Sequence, residues 1–159
     1  MEHGAVEDVD SWMSPASAKR SLAKALGAEH VALNHYTLEP GESFAFGYHS
    51  HEGQEELFYV LEGTVTFDTG GRDPDEMVTV GADEAIRFGP GEWQQGWNRG
   101  EETVRALAIG APQDDDGVTI LRECADCGDR TEHGVELADS KDALVTVCAD
   151  CGAETARFS

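Results

Sequence analysis

The pentapeptide Cys124-Ala-Asp-Cys127-Gly128 recurs as Cys148-Ala-Asp-Cys151-Gly152, and these two copies hold all four cysteines of a 159-residue chain. No other feature restricts the fold as tightly. A Cys-x-x-Cys turn brings two sulfurs to one ion from the same side, and the glycine that follows permits the left-handed backbone such a knuckle uses. Twenty residues separate Cys127 from Cys148, a spacing that suits a four-thiolate zinc site. Cys124, Cys127, Cys148 and Cys151 are therefore expected to form a tetrahedron around one zinc ion. Two disulfides, or a redox-active pair, are the competing reading, and a reducing compartment argues against it. Four protein sulfurs leave no open coordination position, so the zinc is structural.

These cysteines sit in a segment with few large apolar groups, too small to fold without a staple. It resembles a zinc ribbon over about residues 121–158, with strands expected at 118–122, 135–137 and 144–147. Zinc ribbons often touch nucleic acid. Here residues 121–159 carry 4 basic and 9 acidic side chains, which repels phosphate. His133, between the knuckles, is expected at the surface and outside the ligand set.

The preceding chain reads as strands. Val31, Leu33, His35 and Thr37 alternate with Ala32, Asn34, Tyr36 and Leu38, a period of two. Further strands are expected at 44–51, 56–60, 64–67, 77–80, 85–88 and 103–109. Pro40-Gly41, Glu62-Gly63, Gly70-Gly71 and Gly89-Pro90-Gly91 separate several of them. Short strands, turn residues and almost no helix indicate an all-β sandwich or barrel. Ser21 to Leu26 is expected to make one helical turn, ended by Gly27. Residues 1–27 form a partly disordered lead, 28–111 the barrel, 112–117 an acidic linker around Asp114-Asp115-Asp116, and 118–159 the ribbon.

On a strand, side chains two apart share a face, so His49 and His51 present two imidazoles to one side. Glu56 opens the next strand and can bring a carboxylate to the same point. Such a set suits a divalent transition metal with open positions; a pair of surface histidines is the plain alternative. Glu55 is the fallback ligand should the turn shift register, and otherwise faces solvent.

The run from Gly47 to Gly63 resembles the first motif of the cupin superfamily: His-x-His, four residues, Glu56, six residues, Gly63. The second motif is met in part by Gly89-Pro90-Gly91 and Asn98, with Gln94 where the family carries its third histidine. The resemblance spans roughly residues 30–110. It implies a jelly-roll β-barrel with the site inside, and His49, His51, Glu56 and Gln94 as ligands of Fe, Mn, Ni or Zn. Phe46, Phe58 and Trp97 are candidates for the pocket wall, with Trp97 at the barrel mouth. Pairing into a homodimer also rests on the resemblance.

The remaining constraint is charge. Asp plus Glu number 32 against 11 Lys plus Arg, for a net −21. Arg outnumbers Lys 8 to 3, and the pattern resembles proteins adapted to concentrated salt, where counterions screen self-repulsion. A field of this sign disfavours nucleic acid and anionic membrane surfaces as partners. No apolar run approaches a membrane span, and no basic-then-apolar leader opens the chain, so a soluble cytoplasmic protein is expected. Two functions fit: a metal-binding cupin that holds a small-molecule substrate, with dioxygenase, isomerase or decarboxylase chemistry among the family's activities, or a non-catalytic module that binds a metabolite or docks a partner with no barrel metal. The family resemblance does not choose the reaction, because fold does not fix chemistry.

Overall fold

The computed structural model describes residues 1–114 and 117–159. Its strands are β1 (Ala18–Ser21), β2 (Ala32–Leu38), β3 (Tyr48–His51), β4 (Glu55–Glu62), β5 (Thr64–Gly70), β6 (Pro74–Gly81), β7 (Ala85–Phe88), β8 (Trp93–Trp97), β9 (Val104–Ala111), β10 (Val118–Cys124), β11 (Asp129–Leu137), β12 (Leu144–Cys148) and β13 (Glu154–Phe158). One helical turn, α1 (Leu22–Leu26), follows β1. The Ser21 hydroxyl accepts from the Lys24 N–H at its start, and Gly27 ends it at φ 68°, a conformation that favours glycine.

Two sheets enclose the core. One has the order β1-β2-β9-β4-β7, the other β13-β12-β11-β10-β3-β8-β5-β6. Alternation explains which side chains turn inward. Val65 and Phe67 on β5 are buried while Thr64 and Thr66 are not, and Val104, Ala106 and Ala108 on β9 alternate with Arg105 and Leu107. Between the sheets Phe44 packs on Phe58, with ring centroids 5.0 Å apart, and Phe58 packs on Phe67 at 5.0 Å. Tyr36 and Phe88 close this aromatic cluster. The result is the expected jelly-roll barrel.

Strand β10 joins the barrel to the cysteine segment. Its first residues pair with β3, Val118 opposite His51 and Ile120 opposite His49. Its last residues pair with β11, Leu121 opposite Glu132 and Cys124 opposite Asp129. The approach is close: a Cβ on Gly47 would lie 2.7 Å from the Leu121 carbonyl oxygen. Phe158, at the end of β13, packs edge-on against Phe46 at 5.3 Å.

Several expectations differ from the structure. The lead is not a loose tail throughout: β1 pairs with β2 from Ala18 opposite Thr37 to Ser21 opposite Asn34, and Ser14, Ala16 and Ala18 are buried. These small side chains carry little periodic signal, so only the groove they fill reveals them. The strand expected at 44–51 begins at Tyr48, and β8 and β13 arise where no strand was expected. His133 is buried, 7% exposed, because β11 turns Thr131 and His133 to its covered face. Of the acidic run expected in the linker, Asp115 and Asp116 lie outside the described residues.

The core contacts set a stability prediction. Phe58→Ala is expected to cost about 3–5 kcal/mol in urea denaturation. Met77→Ser, at a side chain 70% exposed on β6, is expected to stay within about 0.5 kcal/mol of the parent.

Candidate metal centres

His49 and Gln94 stand directly opposite each other on the paired strands β3 and β8, while Glu56 reaches across from β4 in the facing sheet. The site is therefore built between the two layers. Glu56 Oε2 lies 3.4 Å from His51 Nε2 and 3.9 Å from His49 Nε2. One donor atom from each of His49, His51 and Glu56 falls within 4.8 Å of the others. Gln94 Nε2 donates to Glu56 Oε2 at 2.9 Å and lies 3.0 Å from His49 Nε2.

The orientation of His49 follows from its backbone. Its Nδ1 lies 3.1 Å from the Gly47 carbonyl oxygen, which can only accept, so Nδ1 carries the proton. In the neutral ring the Nε2 lone pair then faces the site, as in metal-ligating histidines. Burial opposes the charge on Glu56, but hydrogen bonds and charge from His49 and His51 in their protonated forms outweigh it, and the carboxyl is held down to about 2 from 4.5.

This donor set fits a divalent ion. Bonds of about 2.1 Å to nitrogen and oxygen place neighbouring ligand atoms roughly 3.0–3.4 Å apart, near the spacings of Gln94, Glu56 and His51. Gln94 Oε1 is buried with no hydrogen-bond partner among the described residues. Rotating the amide would exchange its nitrogen for this oxygen, replacing a donor by a neutral ligand.

A cavity of about 280 Å³ opens at the imidazoles and Glu56. Phe44, Phe46 and Phe58 form its apolar wall, with Val118 and Ile120 from β10 opposite. Phe46 and Phe58, named above as pocket-wall candidates, line this cavity. Trp97 does not: it lies in a separate groove with Gly47, Tyr48 and Arg122. On β8 an odd position faces away from Gln94, so strand parity takes Trp97 out of the barrel. Glu55 is on the solvent side, paired with Arg87 at 2.6 Å. Buried His35 stays away from the centre, with its Nε2 3.4 Å from Arg105 Nη2.

Two polar cavity residues were not recognised in the sequence, Lys19 and Tyr36. Tyr36 could have been found from the alternation of β2. Lys19 had no such signal, because it belongs to the short strand β1. Burial pushes the Tyr36 phenol above its ordinary range, with Glu56 adding to the shift. Burial lowers the Lys19 ammonium, and Glu56 partly offsets this.

The second centre is the cysteine cluster. Cys124 and Cys151 sulfurs are 3.6 Å apart, and those of Cys127 and Cys148 3.8 Å. A zinc tetrahedron with bonds of about 2.3 Å has edges of about 3.8 Å, whereas a disulfide needs about 2.05 Å. The Thr131 hydroxyl, 3.1 Å from Cys148 Sγ, holds that thiol down to about 6, while the neighbouring Cys151 and Cys124 thiols push Cys127 up. Sulfurs this close resist ionising together, and a dication removes that conflict.

The double-layered jelly roll thus carries a His-His-Glu set between its sheets, an arrangement of donors that could hold a metal ion. Residues 34–110 match the cupin domain family. No curated protein is similar in sequence. Among solved structures, the polyketide cyclase RemF from Streptomyces resistomycificus is 26% identical, with TM-score 0.64, covering 79% of this chain and 89% of that one. A cupin-superfamily sugar phosphate isomerase from Silicibacter pomeroyi is 18% identical, with TM-score 0.63 and coverage of 97% and 92%. The oxalate decarboxylase of Bacillus subtilis, which has Mn(II) centres, is 16% identical, with TM-score 0.59 and coverage of 72% and 30%. The latter two likenesses show the fold. No helix among the described residues is long and apolar enough to cross a membrane.

The depressed carboxyl of Glu56 sets a pH prediction for the metal-free protein. A folded value below the unfolded one gives stability that is present above about 4.5 and lost as pH falls towards about 2. The stability gap between the parent and Glu56→Gln, read by urea denaturation, is expected to shrink across that window. A gap that stays constant from pH 5 to pH 2 would contradict the assignment.

Proposed function

We propose that the barrel holds one divalent transition metal on His49, His51 and Glu56, and that a small-molecule substrate enters the cavity in front of it. Gln94 is the fourth ligand through Oε1, or holds a water at that position. The observation that carries this reading is convergence: two imidazoles and a carboxylate from facing sheets meet at the polar end of a cavity with apolar walls. Such an ion, when bound, polarises substrate oxygen atoms as a Lewis acid.

The chain's own residues have distinct parts in this. The Gly47 carbonyl keeps the His49 Nε2 lone pair directed inward. Glu56 supplies the negative charge, and Phe44, Phe46 and Phe58 limit water at the site. The likeness to RemF supports a small-molecule enzyme, and the donor types admit Fe, Mn, Ni or Zn. Isomerase, decarboxylase and dioxygenase chemistry all remain within the resemblance. Zinc on Cys124, Cys127, Cys148 and Cys151 is structural in this proposal, and thiols kept free for it agree with a cytoplasmic setting.

A metal-free binding module is the second reading. It is favoured by the Gln94 amide, which already bonds to both Glu56 and His49. Elemental analysis of natively purified protein separates the two. The expected result is one zinc per chain plus a second transition-metal equivalent. His49→Ala with His51→Ala is expected to remove only the second metal, and Cys148→Ser only the ribbon zinc. Zinc at one equivalent with nothing further favours the metal-free module.

A further inference from the structure

We infer that Lys19 is the anion anchor of the barrel cavity, and that the ligand is a small carboxylate held between its ammonium group and the polar end formed by His49, His51 and Glu56. This deepens the metal-site reading proposed above and rests on it. Lys19 lines the cavity with Tyr36, the two histidines and Glu56. Its Nζ lies 5.7 Å from the centre of the Tyr36 ring, within cation–π range. It is placed there by main-chain contacts rather than by its own charge: the Lys19 N–H donates to Ser11 Oγ, its carbonyl accepts from the Trp12 N–H, and β1 pairs it with Tyr36.

The charge balance points to an anion. Among the described residues, Lys19 and Glu56 are the formally charged side chains around the cavity, and they cancel. A divalent ion on the His-His-Glu set would bring the cavity to +2, inside a chain of −21. An anion repelled by the surface as a whole finds its favourable charge in this cavity. The Tyr36 phenol, kept protonated by burial and by Glu56, adds a neutral donor. The apolar walls and the volume of about 280 Å³ suit a compact organic acid.

A second observation lies outside the barrel. Lys19 also borders an open depression lined by Lys24, Trp12, Asn34, Glu29 and Gln113. Two of the chain's three lysines face it, and Lys24 Nζ sits 4.4 Å above the Trp12 ring. Lys19 thus borders both this less acidic patch and the barrel cavity.

The test is calorimetric titration of the Mn(II)-treated full-length protein with propionate, succinate and benzoate, and with benzamide as the neutral control. At least one carboxylate is expected to bind, and benzamide is not. Lys19→Met is expected to weaken carboxylate binding by about tenfold or more, the scale of losing a charged hydrogen bond. Lys19→Arg is expected to remain within about threefold of the parent, which separates loss of charge from loss of fold. Elemental analysis of the same samples reports the barrel metal independently. An empty barrel with carboxylate affinity that still depends on Lys19 sinks the metal reading and keeps the anchor. Equal affinity in Lys19→Met, or no carboxylate binding by the parent, overturns the anchor even when the metal is present.

Discussion

The pairing of β3 with β10 is the interaction on which the rest depends. Strand β3 carries both imidazoles, and it is held by β8 on one side and β10 on the other. Strand β10 continues directly into Cys124. The cysteine cluster is thus the far end of a strand that positions the barrel histidines and lines the cavity with Val118 and Ile120. A small segment with a core of Ala138, Ala143 and Val145 would gain order from an ion cross-linking its sulfurs, because it buries little apolar surface of its own.

Electrostatics at the barrel centre follow from burial. A carboxylate in a low-dielectric interior loses hydration, and it stays charged when donors and positive charge replace that hydration. Gln94 does this for Glu56, and so do His49 and His51 when protonated. The same burial keeps the Tyr36 phenol protonated and works against the Lys19 ammonium, whose charge Glu56 partly restores. Phe44, Phe46 and Phe58 strengthen every one of these interactions by keeping the dielectric low.

Much of the site was legible where strand parity or motif spacing carried it. His49 and His51 are two apart and share a face, Glu56 lies near the start of the following strand, and the four cysteines announce their cluster by repetition. Trp97 was misplaced because its distance from Gln94 is odd on a strand that had not been recognised. His133 was expected outside because β11 extends further towards the knuckle than its apolar pattern shows. Lys19 was missed because β1 is short and built from small and polar residues, so its strand character comes from the edge of β2 rather than from any pattern of its own.

The amino-acid sequence by itself determined the all-β character, the ligand chemistry of both candidate centres and the acidity of the surface. These are local properties: side-chain period, donor type and charge are set residue by residue. Only the tertiary structure decided that β10 serves barrel and ribbon alike, that Lys19 from the lead faces Glu56, and that Gln94 bonds to the carboxylate it would share with an ion. Each depends on segments distant in the chain meeting at one place, where burial and strand pairing choose the neighbour and the covalent order does not.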